Sequence, residues 1–188
     1  AVTTGQNLSV GGTLTSTGAI TASGGIANAG TISAGTLGSS VVFPAGAIVQ
    51  KITKEVANTT ISSSHSSSFP NHIGNYDINI TPKYSDSKII ITFTSSIYPN
   101  NNGVHSYFTF SRDSETYFGH ASEGIALHQA GSDGMGRWNT FFMNYIDTPG
   151  TSGSAITYKL HARVSSGAVF VTYGNGYRST MMLEEIKQ

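Results

Sequence analysis

The chain has 188 residues with ten basic and ten acidic side chains, six histidines and no cysteine. The neutral balance excludes the basic stripe that answers nucleic-acid phosphates, and no apolar run approaches the roughly 18 residues of a membrane span. Without thiols there is no disulfide, thiolate metal site or cysteine nucleophile, so no nucleic-acid partner, membrane insertion or cofactor is expected.

Composition changes abruptly near residue 43: every charged residue lies from Lys51 onward, and Phe43 is the first aromatic. Two regions are therefore expected, a Gly/Thr/Ser-rich segment at 1–42 and a globular one at 43–188. The chain does not begin with Met, from which an upstream segment is expected.

In the first region Leu8, Leu14, Ile20, Ile26 and Ile32 recur every six residues, with Gly12, Gly18, Gly24 and Gly30 on the same period. Six is even, so in an extended strand all these side chains share one face. Odd positions 9 to 35 hold only Ser, Thr, Ala and Gly, which makes the opposite face hydroxylated. Glycine and β-branched residues, together with a period of six, argue against a helix. Five aliphatic side chains cannot offset the ordering of some thirty backbone residues, and five hexads fall short of the stacked coils that a solenoid needs. Other copies of the chain must complete the core. Three parallel chains would set three Leu or Ile at each level on a common axis, with the glycines allowing close backbone approach. The predicted element is a trimeric β-shaft, like a β-prism or triple-stranded β-helix, with Leu8, Leu14, Ile20, Ile26 and Ile32 as its core. The competing reading is a flexible linker. At Gly35 the period shortens and Leu37 changes parity, which marks the end of the shaft.

The second region reads as short strands. AIVQKITKEV follows a turn at Pro44 to Gly46; YDINITP and KIIITFTSSIY flank a turn cluster after Pro82; SYFTFSRDSETYFG suggests a hairpin turning near Arg112 to Ser114. A Gly-rich loop precedes WNTFFMNYIDTPG, and SAITYKLHARV, SGAVFVTYGN and STMMLEEIKQ follow. Eight or so strands with frequent turns predict an all-β chain ending in an antiparallel β-sandwich of jelly-roll type. At 180–188 Met, Leu and Glu also suit a helix, and the alternation of Met182, Glu184 and Ile186 with Met181, Leu183 and Glu185 does not decide the face.

The hexad segment followed by ITPKYSDSKIIITFTSSIY, the SRDSETYF hairpin, DTPGTSGSAITYKLHARV and a closing MMLEEI resembles the C-terminal part of bacteriophage fibre proteins, especially of marine and cyanobacterial phages. The resemblance covers nearly the whole chain. It implies a homotrimeric virion appendage, joined to other virion proteins through an upstream N-terminal segment, whose β-rich tip binds a host cell-surface glycan or protein. A purely structural head fibre or decoration protein, and a monomeric carbohydrate-binding module, are the alternatives.

Catalysis is not expected. Asp113 and Glu115 are two residues apart, but a solvated hairpin turn explains them better than a glycosidase pair. The histidines at 65, 72, 105, 120, 128 and 161 form no HxH pair, and SSSHSSSF places Ser beside His65 in sequence without the spatial geometry of a triad. GSDGMG lacks the strand-to-helix context of a phosphate loop. For a sugar, which needs an aromatic face and planar polar groups, the candidate ligand-binding residues are Trp138, the only tryptophan, with Arg137 and His120, and a second set, Tyr177 and Arg178 in GNGYRS. Trp138 also suits a core or inter-subunit anchor.

Overall fold

The structure, a computed structural model, describes residues 15, 17–18, 42–57, 61–64, 69, 71–99, 103–114, 117–129, 139–166, 168–171 and 178–188. The chain divides into two units, Ala1–Val41 and Val42–Gln188, and the architecture that follows is that of the second. Leu8, Leu14, Ile20, Ile26 and Ile32 lie outside the described residues, and so does the shaft expected from them.

Among the described residues the strands are β1 (Ile48–Ala57), β2 (Ile61–Ser64), β3 (Asn71–His72), β4 (Ile78–Ile80), β5 (Lys88–Pro99), β6 (His105–Arg112), β7 (Ala126–Gln129), β8 (Asn139–Asp147), β9 (Ile156–Val164), β10 (Ala168–Val171) and β11 (Arg178–Ile186). They reduce to eight lines, because some successive strands lie end to end. The β1–β11 ladder runs from Ile48↔Ile186 to Ala57↔Arg178, and the β2–β10 ladder carries on from Ile61↔Val171 to Ser64↔Ala168. In the same way β3 and β4 both pair with β9, on either side of a 3-10 turn at Gly74–Tyr76.

One sheet runs β8, β5, β11 with β10, then β1 with β2; the other runs β3 with β4, β9, β6, β7. The first line thus pairs with the eighth, the second with the seventh, the third with the sixth and the fourth with the fifth, all antiparallel. That is one long hairpin rolled across two sheets, the jelly-roll connectivity expected from the strand pattern.

Strand alternation fills the space between the sheets. Ile89, Ile91, Phe93 and Ile97 of β5, Met181 and Leu183 of β11, Phe108 and Phe110 of β6, and Tyr158, Leu160 and Ala162 of β9 are buried together. Tyr76 meets Phe93 edge-on at 5.1 Å, and Phe108 lies 4.4 Å from Phe141.

Among the polar side chains buried in the described part of the chain, two carboxylates are each fully partnered. Asp147 accepts hydrogen bonds from Arg112 Nη1 (3.0 Å) and Tyr158 Oη (2.7 Å); burial, and then the bond to Asp147, raise the Tyr158 phenol above its ordinary range. Glu185 is fully buried at the end of β11. Its Oε1 accepts from Lys83 N (2.8 Å), Tyr84 N (3.2 Å) and Ser87 Oγ (2.7 Å), and its Oε2 from Gln50 Nε2 (2.6 Å).

The structure resolves the ambiguity at the C-terminus and corrects one expectation. Residues 178–186 are strand, with Met181, Leu183 and Glu185 inward, because β11 lies between β1 and β5 and must supply ladder bonds to both. The SYFTFSRDSETYFG segment turns at Asp113, whose φ of 50° is left-handed, yet no return strand forms at 117–119 beyond one bond from Phe118 N to Phe110 O (2.9 Å). The hairpin partner of β6, on the side away from β9, is β7, reached through a loop whose Gly119 and Gly124 take φ of +75° and +71°.

Candidate functional site

On β6 and β9 the even positions enter the core, so the odd ones, Tyr107, Thr109, Ser111, Thr157, Lys159, His161 and Arg163, stand on the outer face of their sheet. Register sets Thr109 opposite His161 and Ser111 opposite Lys159. Part of this face is itself buried. Phe69 is completely covered and lies 5.3 Å from Tyr117, while the Arg163 guanidinium stacks 3.9 Å over Tyr107 and donates through Nε to the Ser122 carbonyl. Tyr117 Oη donates to the Phe69 carbonyl.

Gly124 lets the loop approach this closely. A Cβ there would overlap the Phe108 carbonyl and sit 2.8 Å from the Phe69 ring, at a positive φ. Gly124→Ala is expected to cost about 2 kcal/mol or more, read as a fall in the urea midpoint at unchanged m-value.

Beside this cover opens a cavity of about 390 Å³ lined by His72, Ser111, Asp113, Ser114, Tyr117, Lys159 and His161. The Asp113 turn shapes its rim: Asp113 Oδ1 accepts from Thr157 N (2.7 Å), and its carbonyl accepts from Lys159 Nζ (2.6 Å). His72 Nε2 meets Asp77 Oδ1 at 2.5 Å, the His72 and His161 rings lie 5.4 Å apart, and Tyr117 packs edge-on to His161 at 4.8 Å. His161 Nε2 is 2.9 Å from Ser111 Oγ, whereas its buried Nδ1 has no partner among the described residues.

The Ser111–His161 pair therefore lacks the carboxylate that orients the histidine of a hydrolytic triad. Among the described residues no three His, Asp or Glu side chains gather as metal ligands. What the cavity presents is a tyrosine ring, a lysine, histidine edges and serine hydroxyls, a set that hydrogen-bonds and stacks on polar ligands.

Burial, followed by the neighbouring His72 and Lys159, pushes the His161 imidazole down to about 4 from its ordinary 6.5. The folded state favours neutral His161, so this contribution to stability is complete above about pH 6.5 and is lost as the pH falls toward 4. We expect a loss of about 3 kcal/mol between pH 7 and pH 4 from this group. His161→Phe should show a correspondingly shallower fall in unfolding free energy over that interval; equal slopes would contradict the assignment.

Of the ligand-binding residues singled out in the sequence, the two described ones, His120 and Arg178, are not among those that line the cavity. Arg137, Trp138 and Tyr177 lie outside the described residues. His120 belongs to the loop between β6 and β7, where its Nδ1 accepts from Ser122 N (3.4 Å), Ser122 Oγ (3.2 Å) and Glu123 N (3.2 Å) and so holds its own turn together. Arg178 opens β11 in the other sheet and pairs with Glu55 at 2.7 Å on the exposed surface. The structure does not bring these two together. The cavity residues carried one sequence signal, the shared parity of Lys159 and His161 within TYKLHARV, but Ser111 joins them only through the β6–β9 register.

No protein-family model matches the chain, and no curated protein matches it. Among solved structures it is similar to the VP2 subviral particle of infectious bursal disease virus, at 16% identity and a TM-score of 0.43, over 81% of this chain and 37% of that one. A second similarity is to T=1 particles derived from the same virus, at 14% identity and a TM-score of 0.39, over 84% of this chain and 41% of that one. The chain spans about two fifths of the length of these viral-particle chains.

Proposed function

We propose that the chain is part of a homotrimeric bacteriophage fibre that adsorbs to the host surface, with the jelly roll as the adsorbing unit and residues 1–42 as its shaft. The observation that carries this reading is the succession, in one chain, of a hexad segment whose apolar face needs further copies and an eight-line jelly roll. The resemblance of ITPKYSDSKIIITF and the flanking segments to phage fibres supports it. The ligand class is a cell-surface glycan, for which the cavity on the β6–β9 face supplies a tyrosine ring, hydroxyls and a cation. Arg137, Trp138 and His120, and Tyr177 with Arg178, remain the alternative contacts.

The test is binding of the full chain to a panel of bacterial O-antigen and capsular polysaccharides. Binding that falls at least tenfold in Lys159→Ala, with the unfolding transition unchanged, supports adsorption through the cavity. Binding unaffected by Lys159→Ala but lost in Trp138→Ala or Arg178→Ala moves the site to the alternative contacts. Absence of binding to every polysaccharide contradicts glycan adsorption and favours a purely structural virion role.

A further inference from the structure

Among the described residues β8 is an edge strand of nine residues that pairs only with β5. Edge strands are ordinarily blunted by Lys, Pro or brevity; β8, NTFFMNYID, contains no Lys or Pro, and its one charge, Asp147, faces inward to Arg112. Its outward positions are Thr140, Phe142, Asn144 and Ile146, with Phe142 60% and Ile146 55% exposed. Opposite them on β5 stand Ser96, Thr94, Thr92 and Ile90. These eight neighbouring positions carry no charge, although the chain's twenty charged residues all fall between 51 and 188. Met182 of β11, opposite Thr92, extends the surface inward. Charge returns at the border of this patch, with Lys88 next along β5 and Glu184 of β11 opposite Ile90; an uncharged patch running out to an unblunted edge with two exposed large hydrophobics is a surface built to be covered.

We infer that the β8–β5 outer face is a subunit interface, covered by the jelly roll of a second copy of this chain. The inference rests on the trimer reading. The chain that would tether the copies is short: from Gly35, where the hexad period ends, to Ile48 at the start of β1 is 13 residues, at most about 45 Å. Three jelly rolls leaving one shaft are then held at a high local concentration, under which a modest apolar face is enough to stay closed.

The chain lacks cysteine, so a single introduced thiol reports burial at its own position. In the full chain, Ile146→Cys and, as a control in the exposed 3-10 turn, Asn75→Cys would be reacted with a maleimide at micromolar protein, with native mass measured on the same samples. The expected result is a three-chain mass with Cys at 146 labelled at least tenfold more slowly than at 75. A three-chain mass with equal labelling rates overturns the interface and leaves the trimer standing. A single-chain mass with equal rates overturns both. A single-chain mass with slow labelling at 146 also overturns both.

Discussion

Replacing Asp147 with leucine is expected to lower the unfolding free energy by about 3 to 5 kcal/mol, among the largest effects of any single change in the jelly roll. The residue connects strands that are remote in sequence: it sits on β8, accepts from Arg112 at the end of β6 and takes the Tyr158 phenol of β9. Arg112 is only 26% exposed, so losing the carboxylate leaves a guanidinium largely withdrawn from water and a buried hydroxyl without its acceptor. The double variant Asp147→Leu with Arg112→Leu should recover part of the loss, because a well-packed apolar pair replaces the ion pair at little cost. A urea-unfolding cycle on the four proteins checks this. Strictly additive losses would show that the two residues do not act on each other.

Glu185→Leu is the second large effect, expected at about 3 to 4 kcal/mol and a fall of roughly 10 °C in Tm. Its carboxyl group gathers two backbone amides and a serine hydroxyl from the turn between β4 and β5, and the Gln50 amide from β1. Leucine would match the burial and satisfy none of these donors. Glu185→Gln retains one oxygen for the turn but sets a donor against the Gln50 amide, so the loss should be smaller, about 1 to 2 kcal/mol. Loss of hydrogen-exchange protection at the Lys83 and Tyr84 amides in Glu185→Leu would locate the damage. Retained protection there would contradict the account.

These two sites also mark where the sequence stopped being legible. The strands themselves were readable, since KIIITFTSSIY and ITYKLHARV alternate over enough residues to fix both their type and their buried face. β11 was not, because Met181, Leu183 and Glu185 compete with Met182, Glu184 and Ile186. An inward glutamate looks wrong until the turn that binds it is folded against it, about a hundred residues away in sequence.

The cavity shows the same limit. Parity places Lys159 and His161 on one face of β9, but the burial of that face depends on Phe69 and the loop around Gly124, and the approach of Ser111 and His72 depends on pairing between strands. The return strand predicted after Arg112 failed for a local reason that composition hid. Gly119 and Gly124 take left-handed conformations that loop the chain over the sheet before β7 pairs with β6. The hexad segment is the reverse case, in which parity alone carries the expectation, through Leu8, Leu14, Ile20, Ile26 and Ile32.

That expectation holds the account together, and the native mass of the full chain in solution tests it most directly. One chain weighs 19.7 kDa, so light scattering or native mass spectrometry should return three chains, about 59 kDa, unchanged on dilution across the micromolar range. Asp at the single position Ile20 should disperse that mass by burying three carboxylates at one level of the axis. A folded species of one chain at every concentration would contradict the shaft and the fibre reading with it.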